Sequence, residues 1–128
     1  ALVSYADEVE DALGAAVLLA KEGVPCDVYK LVRIFPFRKE LVQELSAYSI
    51  VLMAEECAAC GGIGEHLARA LQDAGWCGRY IHRAVRELNL PHATVPQIKQ
   101  VTGLDAEHLA QAVREAVQAP EAKGEAKV

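Results

Sequence analysis

No apolar run in this sequence approaches the roughly 20 residues needed to span a bilayer, and no positively charged leader precedes a short apolar stretch. The expectation is therefore a soluble cytoplasmic protein with no membrane contact. Positive charge is also scarce: 13 Lys and Arg stand against 18 Asp and Glu, a formal charge of -5. A surface of that sign repels phosphate backbones and anionic lipid, which argues against nucleic acid and membrane surfaces as partners. Cysteines number only 4 (Cys26, Cys57, Cys60 and Cys77), too few for a disulfide scaffold. They read as reduced thiols acting as small hydrophobes. No Ser-His-Asp arrangement or carboxylate pair stands out. His66, His82, His92 and His108 show no clustered spacing, and a zinc site lacks a second ligand pair to join Cys57 and Cys60.

What is present is apolar content in a definite order. Hydrophobic residues make up 52% and charged residues 24%, which excludes a disordered chain, and 128 residues amount to one domain. Leu2-Val3-Ser4-Tyr5 reads as a strand buried on both faces. Such a strand with almost no lead-in predicts that the chain is a piece of something longer. Asp7 is placed to cap a helix on which Val9, Leu13, Ala16, Val17 and Ala20 recur at spacings of four and three. That spacing predicts the buried stripe, with Glu8, Glu10, Asp11 and Lys21 on the wet side. Gly23 and Pro25 close the helix. A second strand is predicted over 26–32. A short helix over 38–45, beyond Pro36, buries Leu41, Val42 and Leu45.

Residues 49–54 are the clearest buried strand. A helix from about residue 64 to 74 then buries Leu67, Ala68 and Leu71 and closes at Gly75. A more polar strand is predicted over 79–88. Its Arg79, His82, Arg83 and Arg86 could hold an anion or meet acidic residues across a subunit boundary, but protection of an exposed sheet edge explains them more simply. Thr94 with Pro96 marks a further helix start. Gly103 ends that turn, and Asp105 caps a last helix carrying Leu109, Ala112, Val113, Ala116 and Val117. Alternating strands and helices with short links require parallel strands joined by right-handed crossovers. The predicted fold class is α/β, a three-layer α/β/α arrangement with a mostly parallel central sheet over 1–117 and a disordered tail over 118–128.

Ligands in such sheets bind beyond the carboxyl ends of the strands, which singles out the turn predicted over 55–64. Gly62 and Gly64 at a helix start suggest a phosphate cradle. A dinucleotide fingerprint, however, needs a small residue where Leu67 stands, and Glu55 and Glu56 would repel phosphate. Tight turning and close packing of helix on sheet explain the glycines more simply. Cys57-x-x-Cys60 would form a redox pair if the helix start lowered a thiol pKa. The two upstream glutamates push the other way, and Gly61 and Gly62 delay the helix.

Several segments in sequence carry a resemblance. They are Leu2-Val3-Ser4-Tyr5, the helix end Leu18-Leu19-Ala20-Lys21-Glu22-Gly23, the strand from Cys26 to Leu31, and Pro36. Next come Ile50-Val51-Leu52-Met53-Ala54 with Glu55-Glu56 and Gly61-Gly62-Ile63-Gly64, then Leu90-Pro91 and Gly103-Leu104-Asp105-Ala106-Glu107. In this order they resemble the C-terminal domain of transketolase-like, thiamine diphosphate-dependent enzymes. The likeness is greatest to the 1-deoxy-D-xylulose-5-phosphate synthase family at Gly103-Leu104-Asp105-Ala106. The family commonly has a glycine after the strand tyrosine, where this chain has Ala6.

The resemblance implies part of a cytoplasmic transferase that condenses pyruvate with glyceraldehyde 3-phosphate for isoprenoid precursor and thiamine biosynthesis. Thiamine diphosphate and Mg would be held on other domains, so this chain is expected to bind neither and to supply no catalytic residue. Its implied partners are those other domains and a second subunit of a homodimer, with Glu55, Glu56, Gly61, Gly62 and Gly64 as the expected contact surface. The family's extra antiparallel edge strand would fall before residue 1. A transketolase or 2-oxoacid dehydrogenase beta-type parent is the neighbouring alternative. A thiol oxidoreductase using Cys57 and Cys60, or a non-catalytic doubly wound binding module, are the alternatives of another class.

Overall fold

The computed structural model describes residues 1–87 and 89–119. Its elements are β1 (Leu2–Ser4), α1 (Glu8–Lys21), β2 (Val28–Lys30), α2 (Lys39–Leu45), β3 (Ile50–Ala58), α3 (Ile63–Asp73), β4 (Arg79–Val85), α4 (Val95–Thr102) and α5 (Ala106–Gln118). The strands form one four-stranded sheet in the order β2-β1-β3-β4, and every pairing is parallel. The α/β class and the parallel crossovers are thus as the alternation required. Among the described residues no antiparallel edge strand is present. The last helix runs to Gln118, one residue past the expected boundary, and residues 120–128 of the expected tail lie outside the described residues.

The pleat of β3 builds two cores. Leu52 and Ala54 face one side, where Ala12, Ala15 and Leu19 of α1 meet Leu109, Ala110 and Val113 of α5. Val51 and Met53 face the other, against Leu45 of α2 and Leu67 and Leu71 of α3. A strand with helices on both faces must be apolar throughout, which is why residues 50–54 show no alternation.

α1 does not bury the stripe read from its spacing. Leu13 and Val17 are exposed, at 52% and 57%, while Ala12, Ala15, Leu19 and even Glu8 are buried. The reason is the neighbour: α5 approaches so closely that a Cβ on Gly14 would stand 2.9 Å from the Ala106 Cβ. Where Gly14 faces Ala106 only small side chains fit, and Leu13 and Val17 turn outward. Asp7 occupies the N-cap position with helical backbone angles, φ -75 and ψ -19, and its side chain caps nothing. Ala6 before it takes φ 51, the left-handed region that glycine adopts freely.

Other boundaries also moved. β2 covers three residues instead of seven, and Val32 is 88% exposed. β3 continues through Glu55 to Ala58, with a register irregularity between Ala54 and Ala58, so the first four residues of the expected turn are strand. β4 stops at Val85 and forms the far edge of the sheet. The later starts agree with the reading: Thr94 and Gln97 form a capping box, Gly103 is left-handed at φ 71, and the Asp105 carboxylate accepts from the Glu107 and His108 amides.

Candidate functional site

At the carboxyl end of the sheet, one side chain organises everything around it. Glu55 extends the buried face of β3 towards α3 and is fully buried. α3 starts after Gly62, which has no side chain to cap the free amides of the first turn. The Glu55 carboxylate caps them from the strand: Ile63 N–H donates to Oε2 at 3.0 Å and Gly64 N–H to Oε1 at 2.8 Å. The Tyr5 hydroxyl donates to Oε2 at 2.9 Å, and His82 Nε2 lies 2.6 Å from Oε1. Tyr80 then donates its hydroxyl to the Gly64 carbonyl at 2.7 Å. Burial pushes the Glu55 carboxyl up, but the Gly64 amide, the Cys57 thiol, His82 and Tyr5 outweigh it and hold the pKa below its ordinary value. The group is therefore an internal anion, and His82 Nε2 donates to it.

This knot explains the glycines. A Cβ on Gly62 would collide with Glu55 Oε1, and one on Gly64 would collide with the His82 ring. The helix-start amides that would hold a phosphate already hold a carboxylate. A diphosphate does not fit here, since it would compete for those amides and face the Glu55 charge.

Of the residues singled out from sequence, the structure brings together Glu55, Gly62 and Gly64. Gly61, at φ 79, donates its amide to Glu65 Oε2 at 2.9 Å. Glu55, expected to be part of a contact surface, is buried within the chain. Glu56 leaves on the opposite face of the strand. Cys57 is a strand residue beside Tyr5, and burial followed by the Glu55 charge pushes its thiol up, away from a reactive thiolate. Cys60 is exposed in the turn, and all four cysteines are free. Among the described residues, no group of three or more His, Cys, Asp or Glu side chains is placed to hold a metal ion. No described helix is long and apolar enough to cross a membrane.

Two participants escaped sequence reasoning. His82 was read as part of a basic edge patch, yet it turns inward to Glu55. Arg79 of the same patch donates to the Ala116 carbonyl at 2.8 Å. The other is Lys99 of α4, whose ammonium reaches Asp11 at 2.6 Å, Glu56 at 2.8 Å and the buried Glu8 at 3.1 Å. Burial opposes the ammonium, and the three acids outweigh it, so its pKa rises. Glu8 is pushed up to about 7 by burial, with Lys99 working the other way.

The comparison with known proteins fits this geometry. The model of the transketolase C-terminal domain matches residues 1–109. The chain belongs to that family. It is 29% identical over 118 residues to 1-deoxy-D-xylulose-5-phosphate synthase of Magnetococcus marinus, covering 90% of this chain and 19% of that protein. Against the enzyme of the same name from a Synechococcus species it is 29% identical over 124 residues, covering 96% and 19%. A solved structure described as a split-gene transketolase, an inactive beta4 tetramer, superposes with a TM-score of 0.82 at 26% identity, covering 91% of this chain and 38% of that one. This member of the transketolase C-terminal domain family thus spans about a fifth of the length of the curated relatives it matches.

Proposed function

We propose that the chain serves as the C-terminal buttress of a cytoplasmic, thiamine diphosphate-dependent transferase of the 1-deoxy-D-xylulose-5-phosphate synthase kind. In that role it contributes no catalytic group of its own. It packs against a companion domain and the second subunit of a homodimer and keeps a cleft built by others in register. Such preorganisation matters because a displacement of about 1 Å can cost around a hundredfold in rate.

The observation that supports this reading is the Glu55 knot. The strand-end turn, where a sheet of this type would seat a ligand, is filled by the protein's own carboxylate. The result is a stiff, internally satisfied platform whose exposed tip includes Cys60 and Gly61. That tip is the part of the turn able to meet a companion domain.

Calorimetric titration of the 128-residue chain with thiamine diphosphate and Mg2+ tests the reading. No saturable heat is expected; micromolar binding, or turnover of pyruvate and glyceraldehyde 3-phosphate by the chain alone, would overturn it.

A further inference from the structure

Residues 28–39 contain Lys30, Arg33, Arg38 and Lys39 and no acidic residue, on a chain whose formal charge is -5. None of these four cations forms an ion pair or side-chain hydrogen bond among the described residues, whereas Lys99, Arg69 and Arg114 elsewhere all do. Between the cations lie large apolar side chains out in solvent: Val32 at 88%, Phe35 at 61% and Ile34 at 37% exposed. The backbone follows the edge strand β2, whose outer side has no strand beside it among the described residues. A groove of about 740 Å³ opens here, lined by Tyr29, Lys30, Arg33, Arg38 and Leu41, with Glu44 on its wall.

Single exposed apolar residues are ordinary, but three within four positions, ringed by unpaired cations, form a docking surface. We infer that segment 30–39 docks onto an acidic surface with an apolar pocket, belonging to the polypeptide that the relatives carry beyond the matched region. The inference rests on the buttress reading and names the surface used. Charge selects the partner. A second copy presenting the same patch would set four cations against four, while an acidic surface neutralises them and steers the encounter. Length supports the same partner, because the chain covers only 19% of its curated relatives.

The test uses the full polypeptide that carries this chain, with p-benzoylphenylalanine at Val32, which touches little, and in a separate sample at Cys60 in the turn. After irradiation, cross-linked peptides are identified by mass spectrometry. The Val32 probe is expected to join a stretch outside residues 1–128 that is rich in Asp, Glu and apolar residues. The double variant Arg33→Glu, Arg38→Glu should cut that yield about tenfold, and high salt should do the same. Cross-links from Cys60 but not Val32 would overturn this surface and leave the buttress reading standing. Silence from both would remove the two together. A Val32 product with a basic segment, or with residues 1–128 of another copy, would overturn the choice of partner.

Discussion

Glu55 and Glu56 are neighbours in one strand, and the pleat sends them into opposite solutions of the same problem. Glu55 stays ionised in a buried site because its donors are backbone amides, a hydroxyl and an imidazole fixed by the sheet and by α3. Across the sheet, Glu56 joins Asp11 and Glu8 around one lysine, three carboxylates sharing a single cation. In the first arrangement every lone pair has a directed donor. In the second, neither oxygen of the buried Glu8 has a hydrogen-bond partner among the described residues, although Lys99 stands near. The first site is therefore stiff, and the second is cheaper to disturb. Directed donors, not the number of charges, separate the two.

The comparison is most directly broken at Glu55. Glu55→Ala strands two amides, Tyr5 and His82, and is expected to lose about 3–5 kcal/mol in urea unfolding, with a lowered melting temperature. Gly64→Ala leaves every donor in place but drives a methyl into His82; a cost of about 2 kcal/mol is expected, partly recovered in the double variant with His82→Ala. An unchanged midpoint for either would mean that the knot holds nothing.

Acidity separates the two sites by sign. The folded pKa of Glu8, about 7, lies above its ordinary 4.5, so the fold favours the protonated form. Stability from that group is full below pH 4.5 and is lost as pH rises through 7. Glu55 is depressed, so its contribution is present above pH 4.5 and is lost as pH falls through its lower folded value. Unfolding free energy is expected to rise by about 1 kcal/mol from pH 8 to pH 6, and Glu8→Gln should flatten that limb while the acid limb stays. A slope that survives Glu8→Gln would assign it elsewhere.

The smallest effect is at Ala6, where φ 51 disfavours a side chain. Ala6→Gly should stabilise the chain by about 0.5 kcal/mol, net of the extra freedom glycine has when unfolded. A thermal melt that falls instead would show the conformation to be unstrained.

What was legible in the sequence was local. Gly23 and Gly103 sit in left-handed closing positions, Thr94 and Asp105 cap helices, and residues 50–54 form a strand buried on both sides, because each depends on neighbours a few residues away. The face of α1 was misread because its packing partner begins at Ala106. Spacing alone favoured Leu13 and Val17, while the seam admits alanine. The role of Glu55 was hidden for a related reason. A carboxylate beside a glycine-rich turn looks like a repellent for phosphate, and only the fold brings it over the α3 amides. His82 lies 27 residues from Glu55, and Lys99 lies 88 from Asp11. No spacing rule spans such distances. The resemblance to a family, resting on segment order and not on any one residue, reached further than the motifs did.

The close seam between α1 and α5 has a consequence for how the chain is made. Its two halves leave the ribosome nearly a hundred residues apart, Gly14 early and Ala106 late. Until translation passes the last helix, the alanine flank of the first has nothing to lie against, and the nascent chain keeps that flank bare to chaperones or to other chains. Synthesis stalled near residue 100 would release a species with four strands and only α1 on the side of the sheet that α5 shares. For this architecture, the arrival of α5 is what closes that side.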